Sequence, residues 1–313
     1  MDTVAVVMQQ PEQLALSRVE LNPAGDDDVV VDVAWSGIST GTERLLWSGQ
    51  MPPFPGMGYP LVPGYESVGR VAQVGAGARV DRGALVFVPG ARCFASVRAL
   101  FGGAAARLVV PAKRVVRFDE SLAEQGVLLA LAATARHAMA APDAAPPELV
   151  IGHGVLGRLL ARVAIADGHR APVVWEINPG RRDGARGYEV VDPGDDDTRT
   201  YRSIYDVSGD GGILDRLVGR LASGGQIVLA GFYHQRLSFD FPPAFMREAR
   251  IRCAAEFTEA DLAHVLALLR RGALCLDGLI THRESPAEAE GAYRTAFNDP
   301  SCLKMILDWR NAA

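Results

Sequence analysis

The sequence predicts an α/β protein of two domains, one a compact β domain and the other a doubly wound parallel sheet. Three observations carry this. From Met1 to about Arg117 the chain holds short alternating or β-branched runs separated by Gly, Pro and Asp. From Glu148 onward strands alternate with helical stretches, the pattern of a parallel sheet covered by helices. Where that pattern begins, Gly152, Gly154 and Gly157 form G-x-G-x-x-G directly after the apolar run Leu149 to Ile151.

The bulk composition fits that class. A chain of 313 residues with 49% hydrophobic residues can fill two cores. A net charge of −5 without a block of Lys or Arg argues against nucleic acid or an anionic membrane as the main partner. There is no signal peptide pattern and no run approaching 18 apolar residues, so no membrane-spanning segment and a cytoplasmic location are expected. Cys93, Cys253, Cys275 and Cys302 are scattered without C-x-x-C spacing, which suggests reduced thiols and no zinc knuckle. The acidic triplets at 26–28 and 195–197 read as solvated loop tips.

Taken in order, examples of the strand-like runs of the first domain are Thr3 to Val7, Val29 to Val33, Val68 to Val74, Leu85 to Val88 and Arg107 to Val110. A Pro- and Gly-rich loop, Met51 to Gly64, carries Phe54, Met57 and Tyr59; it reads as a rigid surface loop or as a lid over a flat apolar ligand. Ser121-Leu-Ala-Glu124 has capping-box spacing ahead of an Ala- and Leu-rich helix running to about Ala141, which the prolines at 142, 146 and 147 end. The strands that follow are expected at Leu149 to Ile151, Val173 to Ile177, Glu189 to Val191, Ser203 to Val207, Gln226 to Ala230 and Ile251 to Ala255. Thr258-Glu-Ala-Asp261 is a second capping box, opening a helix that ends near Gly272. Leu276 to Ile280 is strand-like, and Ser285-Pro-Ala-Glu288 is a third capping box with Pro at the first helical position. The last run, Leu303 to Leu307, is expected to return to the β domain.

The glycine motif supplies a tight turn, a backbone that lets a pyrophosphate come close, and a helix N-terminus facing the phosphates. Glu176, at the end of the next apolar run, is near the spacing of about 20 residues at which a carboxylate bonds the ribose hydroxyls of NAD. Together these make a Rossmann-type nucleotide site, with Gly152, Gly154, Val155, Leu156, Gly157 and Glu176 as its first contacts. Glu176 would repel a 2′-phosphate and favours NAD; Arg181 and Arg182, soon afterwards, could reverse that preference. His153, inside the motif, reads as a solvent-facing turn residue. His137, His169, His234, His264 and His282 have no metal-binding spacing.

Several spaced motifs together resemble one family. Ser36-Gly-Ile-Ser-Thr-Gly-Thr-Glu43, Pro63-Gly-Tyr-Glu-Ser-Val-Gly69 and Val74-Gly-Ala-Gly77, followed by the glycine motif, are similar to the medium-chain dehydrogenase/reductase family over nearly the whole chain. The resemblance implies a GroES-like β catalytic domain made of residues 1–120 and 265–313, with a Rossmann-type NAD-binding domain inserted at 121–264. Zinc-dependent members carry a metal-binding Cys and His where this chain has Ser39 or Thr40 (the alignment is ambiguous by one residue) and Tyr65. The four structural-zinc cysteines are missing as well. Neutral hydroxyls are poor zinc ligands, so no metal is expected at either site.

The stretch from Met51 to Arg70 resembles a narrower branch of the family. Its members oxidise a 1-hydroxyethyl group on a bacteriochlorophyllide, a chlorin, to acetyl with NAD. The resemblance leaves open a homodimer and contact with other enzymes of pigment synthesis. A carbinol carbon attached to a conjugated macrocycle can share the positive charge that develops as hydride leaves, which lowers the need for a Lewis acid. The proton still needs a route. Thr42 matches the family's proton-relay hydroxyl, and Tyr65 stands where the metal-binding His would be. A phenol with an ordinary pKa of about 10 would hold and orient the substrate hydroxyl rather than act as a strong base.

Glu66 sits beside them, and with Ser39 and Thr40 it completes the candidate catalytic set. These residues also have plainer readings: Tyr65 as a filler of the vacant metal cavity, Glu66 as a structural acceptor, Ser39 and Thr40 as turn residues. Ala133-Thr-Ala-Arg-His137 matches the family's stretch beside the nicotinamide and so implicates Thr134. Ser208, Gly231 and Phe232 follow two expected strands, where open sheets bind ligands, although strand-end turn chemistry explains them equally. Two other functions compete: a zinc-free quinone or enoyl reductase using NADPH, and a non-catalytic dinucleotide- or pigment-binding protein.

Overall fold

A computed structural model describes residues 1–53, 55–197 and 200–312 of the chain. It divides into two compact units, Met1–Ala130 with Leu279–Ala313, and Leu131–Gly278. The expected boundaries at 120/121 and 264/265 lie earlier at both joins. The turn-rich segment Glu120–Leu128 packs on the strands Asp28–Ile38 and Ser67–Val74 and so stays with the β unit. The helix Glu259–Arg270 buries Leu262, Val265 and Leu268 and keeps its whole length in the second unit.

In the first unit the strand Asp28–Ile38 is the spine of a larger sheet. It pairs antiparallel with Ser67–Val74, Arg107–Pro111 and Met305–Asp308. A smaller sheet joins Asp2–Gln10 to Gln13–Glu20 and Leu61–Val62. The chain's last stretch does return to this unit, with Tyr293, Phe297, Met305, Leu307 and Trp309 in its core and the Trp309 indole donating to Ser36 Oγ at 2.8 Å. Met57 and Tyr59 of the Pro- and Gly-rich loop pack on the same core, which anchors that loop inward; Phe54 lies outside the described residues.

The second unit is a six-stranded parallel sheet. Leu149–Ile151 starts it. Val173–Trp175 and Glu189–Val191 are added on one side, and Tyr201–Asp206, Leu221–Leu229 and Arg250–Cys253 on the other. This is the doubly wound order, in which the chain reverses direction beside the first strand and opens a crevice at the strands' carboxyl ends. Among the described residues, no helix is long and apolar enough to cross a membrane.

Four local expectations are corrected. Asp119, not Ser121, caps the segment before Leu129–Met139, accepting the Ser121 N–H at 2.9 Å. Glu124 is drawn instead to Arg283, whose Nε lies 3.0 Å away. Leu276 to Ile280 is not a strand: Gly278 turns it at φ 75°, and Leu276 and Leu279 are buried from an irregular backbone. The box at Ser285 is half formed, with Ser285 Oγ accepting from Ala287 over a short 3-10 turn before the helix Ala289–Asn298. Asp196 is no solvated tip, because it is buried and accepts from the Trp175 indole at 2.7 Å and the Tyr201 hydroxyl at 2.6 Å.

Candidate active site

In the β unit three strand ends converge. The spine strand ends at Ile38, just before Ser39. Ser67, opposite Ser36, is preceded by Tyr65 and Glu66, and Met305, opposite Ile38, is preceded by Lys304. Gly37 makes room for this packing, since a Cβ there would lie 2.2 Å from Glu66 Oε2. Ser39 Oγ and the Tyr65 hydroxyl come to 2.6 Å, and the Thr42 side chain also bonds the phenol. The Tyr65 ring stands edge-on to Phe101, with centroids 5.4 Å apart.

Of the two candidates at the family's metal position, Ser39 is the one that meets Tyr65. Thr40 is exposed and does not join Tyr65. Burial, then the neighbouring Glu66 charge, holds the phenol well above its ordinary range, while its hydroxyl partners pull the other way.

Glu66 is fully buried and forms an ion pair with Lys304, Nζ to Oε2 at 2.7 Å. Lys304 also donates to the Ile38 carbonyl at 3.1 Å. Glu66 Oε1 is buried without a hydrogen-bond partner. Desolvation raises the Glu66 carboxyl, and Lys304 opposes the rise. The arrangement gives Glu66 the structural role of an acceptor for an ammonium.

The donor set at the family's metal position is therefore two mutually bonded hydroxyls, with no thiolate or imidazole, beside a carboxylate that has one oxygen paired to Lys304. That set does not fit zinc, which takes thiolate, imidazole or free carboxylate.

Sequence reasoning passed over Glu43, Tyr293 and Lys304. Glu43 ends the quoted Ser36–Glu43 motif and is 1% exposed; Lys304 is a charge inside an apolar terminal run, a signal that was available. Tyr293 gave none beyond its place on an amphipathic helix.

In the second unit the glycine motif lies at the crevice. Gly152 takes φ 97°, and a Cβ there would approach Ser208 Cα at 3.4 Å. Gly154 caps the helix Val155–Ala166, with nothing within 4 Å of the place its Cβ would take. Val155 is buried in the first turn of that helix, and Leu156 is half-buried. Glu176 accepts the His153 N–H at 3.0 Å and the Asn178 N–H at 2.8 Å, so its carboxylate sits at the end of the second strand facing the turn. Ser208 and Gly231 gather around Asp206, which accepts from both backbones and from the Tyr233 hydroxyl. Phe232 is 45% exposed, and Thr134 is half-buried on Leu129–Met139. An open Gly154, a helix N-terminus and a strand-end carboxylate fit a dinucleotide.

His153 is not solvent-facing. It is fully buried, with Nδ1 donating to the Arg181 carbonyl at 2.6 Å and Nε2 accepting from the Tyr188 hydroxyl at 2.9 Å. Burial lowers its pKa from 6.5 to about 4, with the nearby Arg158 charge acting in the same direction. Between those values the unfolded chain binds the extra proton and the folded chain does not. This contribution is complete above pH 6.5 and is lost as the pH falls toward 4. The thermal midpoint should drop through that window, and His153→Asn should flatten the drop; an equal drop in the variant would contradict the assignment.

The comparisons with known proteins agree with this architecture. Residues 25–120 match the alcohol dehydrogenase GroES-like domain. A 2-desacetyl-2-hydroxyethyl bacteriochlorophyllide A dehydrogenase of Rhodobacter capsulatus is 58% identical, with all of both chains covered. The chain belongs to the medium-chain dehydrogenase/reductase family. A protein of the same description from Cereibacter sphaeroides is 55% identical, again with both chains fully covered. Among solved structures, an alcohol dehydrogenase from Escherichia coli CFT073 complexed with NADH has the same fold. Its TM-score is 0.84 at 22% identity, with 98% of this chain and 99% of that chain covered.

Proposed function

We propose that this protein oxidises the 3-(1-hydroxyethyl) group of a bacteriochlorophyllide to acetyl, passing hydride to NAD without zinc. The substrate class rests on the description of its relatives at 58% and 55% identity. The observation that carries the metal-free chemistry is the Ser39–Tyr65 hydroxyl pair at 2.6 Å.

A bound nicotinamide supplies the hydride acceptor. The phenol of Tyr65 stays protonated, so it does not act as a phenolate base. It accepts the hydrogen of the substrate hydroxyl as the carbon–hydrogen bond breaks, and passes its own proton to Ser39 Oγ and on to water. The conjugated ring carries the positive charge that develops at the carbinol carbon. NAD is favoured over NADP because Glu176 would repel a 2′-phosphate, while Arg182 is engaged with Asp192 and with the Glu176 and Ile177 carbonyls.

The test is incubation with 3-hydroxyethyl bacteriochlorophyllide and NAD. Appearance of the acetyl chlorin together with NADH supports the reading, and an unchanged pigment would defeat it. Reduction of a quinone or enone by NADPH under the same conditions would point to the competing reductase. Tyr65→Phe should lower kcat about 100-fold, within the range of a positioned proton-transfer group. Unchanged turnover at unchanged stability would remove the phenol from the mechanism.

A further inference from the structure

Glu43 is, like Glu66, a carboxylate buried near the hydroxyl pair, and both its oxygens are engaged. Oε1 accepts the Ser39 N–H at 3.0 Å, and Oε2 accepts the Tyr293 hydroxyl at 2.7 Å. Tyr293 is fully buried on the helix Ala289–Asn298, its ring edge-on to Phe297 at 5.7 Å. Ser39 carries the hydroxyl that meets Tyr65. Thr42, the other hydroxyl on Tyr65, opens the helical turn Thr42–Trp47 to which Glu43 belongs. One carboxylate thus holds the backbone of one Tyr65 partner and is covalently next to the other.

We propose that Glu43, clamped by Tyr293, is a positioning residue that sets where the Tyr65 hydroxyl stands. The proposal rests on the alcohol-oxidation reading above. Neither Glu43 nor Tyr293 needs to touch substrate. They act through Ser39 and Thr42, so the C-terminal helix takes part in building the proton route.

The groups facing this carboxylate are Ser39 and Tyr65 from the loop side, Tyr293 from the helix, Glu66 from the segment before Ser67, and Lys304 from the terminal strand. Burial lifts its pKa to about 7; the bonds from Ser39 and Tyr293 lower it, Glu66 raises it and Lys304 lowers it. An ionised Glu43 grips the Ser39 N–H through a charge-assisted bond, and a protonated one grips it more weakly. Turnover should therefore climb as pH rises through about 7. Removing the Tyr293 hydroxyl raises the carboxyl further and moves that limb to more alkaline pH.

The experiment compares the unmodified protein, Tyr293→Phe and Glu43→Gln with 3-hydroxyethyl bacteriochlorophyllide and NAD across neutral pH. NADH binding and thermal midpoints are followed in parallel. In Tyr293→Phe, kcat should fall roughly tenfold with NADH binding unchanged, as expected for a lost bond to a charged group. Its acidic limb should move alkaline, and in Glu43→Gln that limb should vanish. Adding Tyr293→Phe to Ser39→Ala should cost little more, because the hydroxyl it positions is already gone. Variants that fold, keep the unmodified kcat and show an unmoved limb would overturn the proposal. So would a loss of activity that tracks loss of folded protein with the pH profile unchanged. No oxidation by the unmodified protein would overturn the alcohol-oxidation reading and this proposal together; turnover by the unmodified protein with unmoved variants would overturn this one alone.

Discussion

Lys304→Met should destabilise the protein by about 3–5 kcal/mol, the cost of removing one partner from a buried ion pair. The pair is sealed, with side-chain exposures of 2% for Lys304 and 0% for Glu66. Without the ammonium, Glu66 is left charged beside Glu43, with an Oε1 that already lacks a partner. Its carboxyl pKa then rises further above the unfolded value, so the folded state binds the proton more tightly than the unfolded one. The variant's thermal midpoint should therefore increase as pH is lowered, until the carboxyl of the unfolded chain is itself protonated. Adding Glu66→Gln should recover much of the loss at neutral pH, because no unpaired charge then remains. Thermal unfolding of the three proteins at several pH values checks this, and a double variant no more stable than Lys304→Met would refute it.

Substitutions in the glycine turn should separate packing from ligand approach. A Cβ at Gly157 would lie 1.9 Å from the Gly152 carbonyl oxygen, a backbone atom that cannot step aside. Gly157→Val should force the helix away from its strand and cost about 1–3 kcal/mol of stability. With the turn displaced, NADH affinity should fall about 100-fold, as misplacements near 1 Å do in preorganised sites. At Gly154 the space is open, so Gly154→Ala should cost the free protein only the N-cap preference of Gly over Ala, about 1 kcal/mol or less, and still weaken NADH, where a pyrophosphate would meet the new methyl group. Fluorescence titration with NADH beside thermal melts reads both quantities. Equal NADH affinity in Gly154→Ala would mean that the pyrophosphate does not approach there.

The sequence carried most of the sheet architecture because a buried strand leaves a local mark. Leu149–Ile151, Val173–Trp175 and Arg107–Pro111 are apolar or β-branched runs closed by turn residues, and their type follows from a few neighbours. Capping was less legible. Thr258 and Asp261 form their box, but at Ser121 the neighbouring Asp119 captures the N–H and Glu124 finds Arg283 across the fold.

Irregular burial left no periodic signal, so Leu276 to Ile280 resembled a strand while burying its side chains from a turn. The polar interior was hardest to read, because burial of His153, Asp196 or Lys304 depends on partners far along the chain. In the candidate site Tyr65, Ser39 and Thr42 are brought together, whereas Thr40 turns outward. The residues that brace them, Glu43 and Tyr293, are separated by 250 positions, beyond the reach of any local pattern.

That separation bears on the order of events during synthesis. Glu66 and Lys304 are 238 positions apart, and the whole nucleotide-binding unit is made between them. A chain emerging from its N-terminus holds Glu66 and the edge of the Asp28–Ile38 strand unmatched while the parallel sheet forms. The β unit therefore closes late, and until then it presents an uncovered strand edge that a neighbouring chain could capture.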